Sequence, residues 1–156
     1  MKISLVTIGR TDVDWVKEGM RIYTSRLGHY CTFTLDEIPE LKNVSALSKE
    51  QIKVKEGQLL MKKIRPSDYV VLLDERGRQQ TSTEWASWIQ NRLSSGRDVV
   101  FVIGGAYGFS REVYDRADGL VSLSKMTFSH QMVRAIFLEQ LYRAFTILRG
   151  EPYHHE

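Results

Sequence analysis

The sequence predicts an α/β layered fold on a mostly parallel sheet. Three observations lead there. Strand-like runs alternate with helical patterns along all 156 residues, the order that crossover helices on a parallel sheet produce. Two of the runs, DYVVLLDE and DVVFVIGG, are apolar almost without a break, as strands covered on both faces require. No repeat, low-complexity tract or linker divides the chain, so one domain over 1–156 is expected, long enough for a core of reasonable size.

The elements follow in order. KISLVTIG (2–9) is the first strand; its apolar stretch is too short for a signal peptide and offers no small-residue cleavage site. A helix is expected from about Asp12 to Arg26, then the strand CTFTLDEI (31–38) and an irregular connection, PELKNVSAL (39–47). The second helix spans about Ser48 to Ile64 and stops before Pro66, because the residue preceding proline disfavours helical backbone. The third strand is DYVVLLDE (68–75). Thr81 and Glu84 then form a capping box ahead of WASWIQNRL. DVVFVIGG (98–105) is the fourth strand, a short helix begins near Ser110, and GLVSLS (119–124) is the fifth strand. The last helix runs from about His130 to Leu148 and ends before Gly150 and Pro152.

Composition excludes some classes. Hydrophobic residues are 42% and charged residues 26%, an ordinary globular balance. No run approaches the ~18 apolar residues of a membrane span, so a cytoplasmic protein is expected. A net charge of +3 tolerates a nucleic-acid partner without demanding one. Like charges form no block, so an RNA site would have to be assembled by folding. The single cysteine, Cys31, has no disulfide partner in the chain and reads as structural.

In open α/β sheets ligands sit beyond the carboxyl ends of the strands. Strand three leaves through LLDERGR, strand four through IGGAYGF and strand five through SLSKMTF. The glycines Gly104, Gly105 and Gly108 suit either a backbone cradle for an adenosine-like ligand or a plain tight turn; the phosphate-loop patterns are absent. Asp74 and Glu75 are adjacent on a strand and point to opposite faces, which argues against a paired-carboxylate site. Asp74 is left to orient a ligand or cap a loop. His154, His155 and Glu156 lack spaced partners for a metal and read as a solvated tail.

The last helix is apolar around well over half its circumference, so it is expected to be buried on more than one side, the second side being a place for a partner subunit. Glu139 and Arg143 stand four apart, in the favourable order for an ion pair. His130 and Arg134 are also four apart, at the helix start. A cation there opposes the helix dipole, which points Arg134 towards an anion such as phosphate.

IGGAYG, SLSKMTFSHQMVRAIFLEQLYRAF and RGEPYHH together resemble the ribosomal large-subunit RNA methyltransferase H family, of the SPOUT superfamily of α/β-knot methyltransferases. The resemblance covers nearly the whole chain, from MKISLVTIG through KEG (55–57) and LDERG (73–77) to the PYHH tail. One departure is Ser129, where many members have proline. The resemblance implies a parallel sheet with a C-terminal trefoil knot, a homodimer, and no metal. It implies S-adenosylmethionine as methyl donor, and N3 of a pseudouridine in a stem-loop of 23S rRNA, within the ribosome, as acceptor. By matching positions it assigns the cofactor to Leu73, Gly104, Leu123, Ser124, Lys125, Met126, Thr127 and Phe128. It assigns substrate placement or chemistry to Arg143, Tyr153 and His154. His154 is a candidate base by residue type. Arg143 is a candidate to stabilise the deprotonated ring or hold a phosphate. Two other readings stay open at this point: a noncatalytic ribosome-binding module on the same scaffold, and a flavodoxin-like nucleotide-binding enzyme with an unknotted sheet.

Overall fold

The computed structural model describes residues 1–155, in which strands and helices alternate without exception. They are β1 (Lys2–Ile8), α1 (Asp14–Leu27), β2 (Thr32–Ile38), α2 (Lys49–Met61), β3 (Tyr69–Arg78), α3 (Ser82–Ser94), β4 (Val99–Ile103), α4 (Arg111–Arg116), β5 (Gly119–Val121) and α5 (Met132–Leu148). The sheet is parallel throughout, in the order β2-β1-β4-β3-β5. This order overturns the flavodoxin-like reading. That architecture runs 2-1-3-4-5, whereas here β4 lies between β1 and β3. The three late strand exits therefore come out side by side.

Strand periodicity divides the core between the two faces. Val99, Phe101 and Ile103 of β4 join Ile3, Leu5, Trp85, Ile89, Phe137 and Leu141 under α1, α3 and α5. Val100 and Val102 point the other way, to Val6, Leu60, Phe109 and Val113 under α2 and α4. Thr81 and Glu84 form the expected capping box, and Ser48 pairs with Gln51 in a second one, not anticipated, at the start of α2. Burial pushes the Cys31 thiol up to about 11, in keeping with a structural cysteine.

Three of the boundaries that differ from expectation bear on the site. The fifth strand ends at Val121, not Ser124, because serine side chains capture the backbone: Ser122 Oγ donates to Ser124 O at 2.9 Å, and Ser124 Oγ accepts from Met126 N at 3.0 Å. α5 starts at Met132, leaving His130 in the turn before it. β3 runs on to Arg78, and there the chain meets itself. Val121 is partnered by Leu73 and again by Arg78, so residues 73–78 curl around the end of β5. Ser122 N extends the contact to Arg78 O at 3.0 Å. The crossing needs glycine: a Cβ at Gly77 would lie 2.6 Å from the backbone of Val121. This wrap is consistent with the implied C-terminal knot.

A second close approach lies across the sheet. A Cβ on Gly105 would sit 2.6 Å from Glu56 Oε2, so α2 presses a carboxyl directly onto the IGGAYG loop. Glu56 Oε1 is buried without a hydrogen-bond partner, and burial raises the carboxyl above its usual range.

Gly77→Ala is expected to cost about 2 kcal/mol, roughly 5 °C in melting temperature, because two backbones must separate. Thermal unfolding at wild-type temperature would show that the crossing is looser than described. The raised Glu56 pKa means that the folded chain holds this proton more tightly than the unfolded chain. Its contribution favours folding below the ordinary carboxylate range and is lost as pH climbs through it. Glu56→Gln should therefore raise the melting temperature at about pH 8, with the gap closing near pH 4.

Candidate active site

The exits of β3, β4 and β5 enclose a cleft of about 780 Å³. Its walls are the start of the 73–78 curl, the turn from Ile103 to Phe109, the loop from Val121 to His130, and Val133 on the first turn of α5. Of the expected cofactor residues, Leu73, Gly104, Leu123, Ser124, Met126, Thr127 and Phe128 all line it; Lys125 is exposed and does not. Gly104 packs tightly, since a Cβ there would meet the Phe109 ring at 2.9 Å. Sequence reasoning gave no role to Phe109, Tyr107 or Tyr114, although the first two stand within the IGGAYGF exit; no motif marked Tyr114.

Asp74 braces this wall. It accepts from the Tyr114 hydroxyl in a short bond and from Arg76 N at 2.8 Å, while the Arg76 guanidinium lies over the Tyr114 ring at 4.7 Å. Burial alone would raise the Asp74 carboxyl, but these donors outweigh it and hold it below the usual range. Of the two roles left to Asp74, the structure shows the loop cap.

Arg134 is not turned to an external anion such as phosphate, against expectation; the anion it meets is the Glu37 carboxylate. Its side chain is fully buried and donates to Ile8 O, Gly9 O, Thr11 Oγ1, Glu37 Oε2 and His130 O. The reason is directional: helical side chains lean towards the N-terminus, and here that direction leads into the carboxyl edge of β1. His130 is exposed and borders the cleft.

The tail builds a second group. Arg143 donates to Glu139 Oε1 through Nη2 at 2.5 Å and Nε at 3.1 Å, and its Nη1 lies 3.0 Å from His154 Nδ1. Tyr153 donates to the same Glu139 oxygen at 3.1 Å, and its ring sits under the Arg143 guanidinium at 4.8 Å. Tyr23 of α1 reaches the Tyr153 hydroxyl at 3.3 Å. The expected solvated tail is thus corrected for His154, which like Tyr153 is partly buried and clamped. Glu151 supplies the fastening: it accepts from the Tyr30 hydroxyl at 2.7 Å, and its own N donates to Thr146 O at 2.9 Å. Glu156 lies outside the described residues. The Glu139 to Arg143 spacing was legible in the sequence; Tyr23, on a distant helix, carried no signal.

Two electrostatic consequences follow. The hydrogen bond to Glu139 raises the Arg143 pKa still further, so this group is a permanent cation. A guanidinium only donates, so His154 Nδ1 must accept from it, and a neutral His154 carries its proton on Nε2.

Neither Arg143, Tyr153 nor His154 lines the cleft. Arg143 is ten residues beyond Val133 on α5, about 15 Å along the helix axis. Within one protomer the two groups remain apart.

Comparison with known proteins agrees with this geometry. The family described as "Predicted SPOUT methyltransferase" matches residues 1–154. A protein of Christiangramia forsetii is 54% identical, with 99% of each chain covered. A protein of Parabacteroides distasonis is 51% identical over the full length of both. One from Cytophaga hutchinsonii is 52% identical over 99% of this chain and all of its own. All three are named "Ribosomal RNA large subunit methyltransferase H". The chain belongs to the SPOUT methyltransferase family, within its ribosomal RNA large subunit methyltransferase H branch.

Proposed function

We propose that this chain is an S-adenosylmethionine-dependent methyltransferase that modifies N3 of a pseudouridine in a stem-loop of 23S rRNA. On this reading it acts on the assembled ribosome in the cytoplasm, as a homodimer of single-domain protomers with a C-terminal knot. The observation that carries the proposal is the cleft at the ends of β3, β4 and β5, lined by the positions that the family assigns to its methyl donor. The relatives' names supply the substrate class.

The cleft suits that donor. About 780 Å³ is the scale of a nucleoside-sized ligand site. Leu73, Leu123, Phe128 and Val133 provide apolar walls. Gly104 leaves backbone uncovered where a side chain would not fit beside Phe109. When bound, S-adenosylmethionine supplies an electrophilic methyl group on its sulfonium. The residues of the chain then have to hold the acceptor ring in line and support the loss of its N3 proton. Arg143 supports that proton loss, because a fixed cation beside the ring favours the deprotonated, nucleophilic form. Glu139 and Tyr153 hold its guanidinium in place. His154, with Nδ1 turned to Arg143, is better suited to donate from Nε2 than to accept a proton there.

The distance along α5 supports the dimer. A second copy can bring its Arg143 to the cleft that the first copy's own Arg143 cannot reach. Met132, Val133, Ile136 and Tyr142 stay partly uncovered on α5, as an interface helix would leave them in one protomer.

Calorimetry with S-adenosylmethionine should show binding, and mass spectrometry should find a new methyl group on pseudouridine in ribosomes that lack the modification. Folded protein that ignores the donor at millimolar concentration would sink the proposal. Binding without transfer would favour the noncatalytic module. Arg143→Ala should lower turnover by about 100-fold while changing donor affinity less than about twofold. Thr127→Trp, which fills the cleft, should lose donor binding. Mixed dimers of these two inactive variants should regain activity; no recovery would place each whole site within one protomer.

A further inference from the structure

We infer that Arg134 and Gln131 are positioning residues for the methyl donor: they clasp the far end of the 122–131 loop to the β1–α1 turn and hold the cleft wall in its binding shape. What the loop binds rests on the function proposed above; the clasp itself rests on geometry alone.

The loop from Ser122 to Gln131 contributes one whole wall of the cleft and contains no regular structure. Its near end is tied to the 73–78 curl through Ser122 N and Arg78 O. Its tip stands in solvent, with Met126 78% exposed. Ser122 and Ser124 shape its first turn, and Leu123 packs against the core; the far end supplies its other anchor to the fold. There the Arg134 guanidinium takes the loop carbonyl of His130 with Nε at 2.9 Å. The same group reaches Gly9 O at 2.9 Å and Ile8 O at 3.0 Å, at the end of β1. Thr11 Oγ1 and Glu37 Oε2 complete its shell. A planar five-donor group can join all these points at once; a lysine ammonium cannot.

Gln131 makes a second, separate tie to the same turn. Its amide oxygen accepts from Asp12 N at 2.9 Å, and its amide nitrogen donates to Arg10 O at 3.1 Å. This reciprocal pair lies at the surface and supports no part of the core. It is an arrangement that reads out position, because both bonds form only when the loop end and the β1–α1 turn are in register. Neither side chain needs to touch the donor. If the loop is tied only at its near end, it spends less time in the binding shape, and apparent affinity falls by that fraction.

The experiment compares wild type, Gln131→Ala and Arg134→Lys by donor calorimetry, initial-rate kinetics, thermal unfolding and amide hydrogen exchange. Gln131→Ala should weaken donor binding and raise its KM by about fivefold to tenfold, the scale of one or two lost net hydrogen bonds. Its kcat at saturating donor and its melting temperature should stay near wild type. Arg134→Lys should weaken binding more than about tenfold and also lower the melting temperature. Exchange of amides 122–131 in the donor-free protein should quicken in Gln131→Ala. Wild-type exchange and affinity in that variant would overturn the clasp, as would a loss of melting temperature and kcat with unchanged KM. A wild-type chain that fails to bind the donor overturns the functional reading instead, and the exchange measurement still decides the clasp.

Discussion

The structure depends on one steric fact: residues 73–78 close around the end of β5 with backbone against backbone. Gly77 permits this by lacking the atom that would strike Val121. Three features of the cleft meet at that crossing. It sets β3 between β4 and β5, so that three strand exits open into one space. Beside the crossing β5 ends after three residues, where the Ser122 and Ser124 hydroxyls take the backbone and release the chain into the 122–131 loop. The crossing also fixes the near end of that loop, since Arg78 on one side of it accepts from Ser122 on the other.

The sequence made the layers legible because burial on both faces leaves a composition that is hard to mistake. VVLL in β3 and VVFVI in β4 have no exposed face on which polar residues would be free to alternate. The cleft residues were legible for a different reason: the resemblance named them, and strand-exit logic placed them together. Contacts between distant segments were not legible. Nothing near Gly77 announces that its partner is Val121, and nothing in the spacing of β5 reveals that Ser122 will break the strand with its own hydroxyl. Arg134 shows how local reasoning fails. A cation in the first turn of a helix does oppose the dipole, but that small penalty was read as a sign of a missing anion. The compensation instead comes from the Ile8, Gly9 and His130 carbonyls and from Glu37, of which periodicity could bring only His130 to that position.

The two arginines of α5 show what separates a sealed cation from an accessible one. Both are bound to a glutamate, Arg134 to Glu37 and Arg143 to Glu139. Arg134 is sealed from water, and desolvation lowers its pKa. Its charge is spent on oxygens of its own chain. Arg143 is partly exposed, and its hydrogen bond to Glu139 raises its pKa. A buried cation must be satisfied completely, or the cost of desolvation goes unmet. One that keeps an open side can be oriented by the protein and still answer to a charge that forms later. On the proposed reaction, that later charge is the deprotonated ring.

The helix that carries both explains why they need not serve the same cleft. A rigid α-helix turns a sequence separation into a fixed distance, here about 15 Å between Val133 and Arg143. No rotamer of Arg143 spans it, and the tail cannot swing across, because Glu151 is fastened to both Tyr30 and Thr146. The chain thus holds a cleft at the strand exits and a clamped group at its tail that its own geometry keeps from meeting. If both are used in one reaction, the missing half comes from another copy. The rigidity of α5 then becomes an advantage: the element that keeps the groups apart in one protomer would present each at a constant offset to the opposite half of its partner.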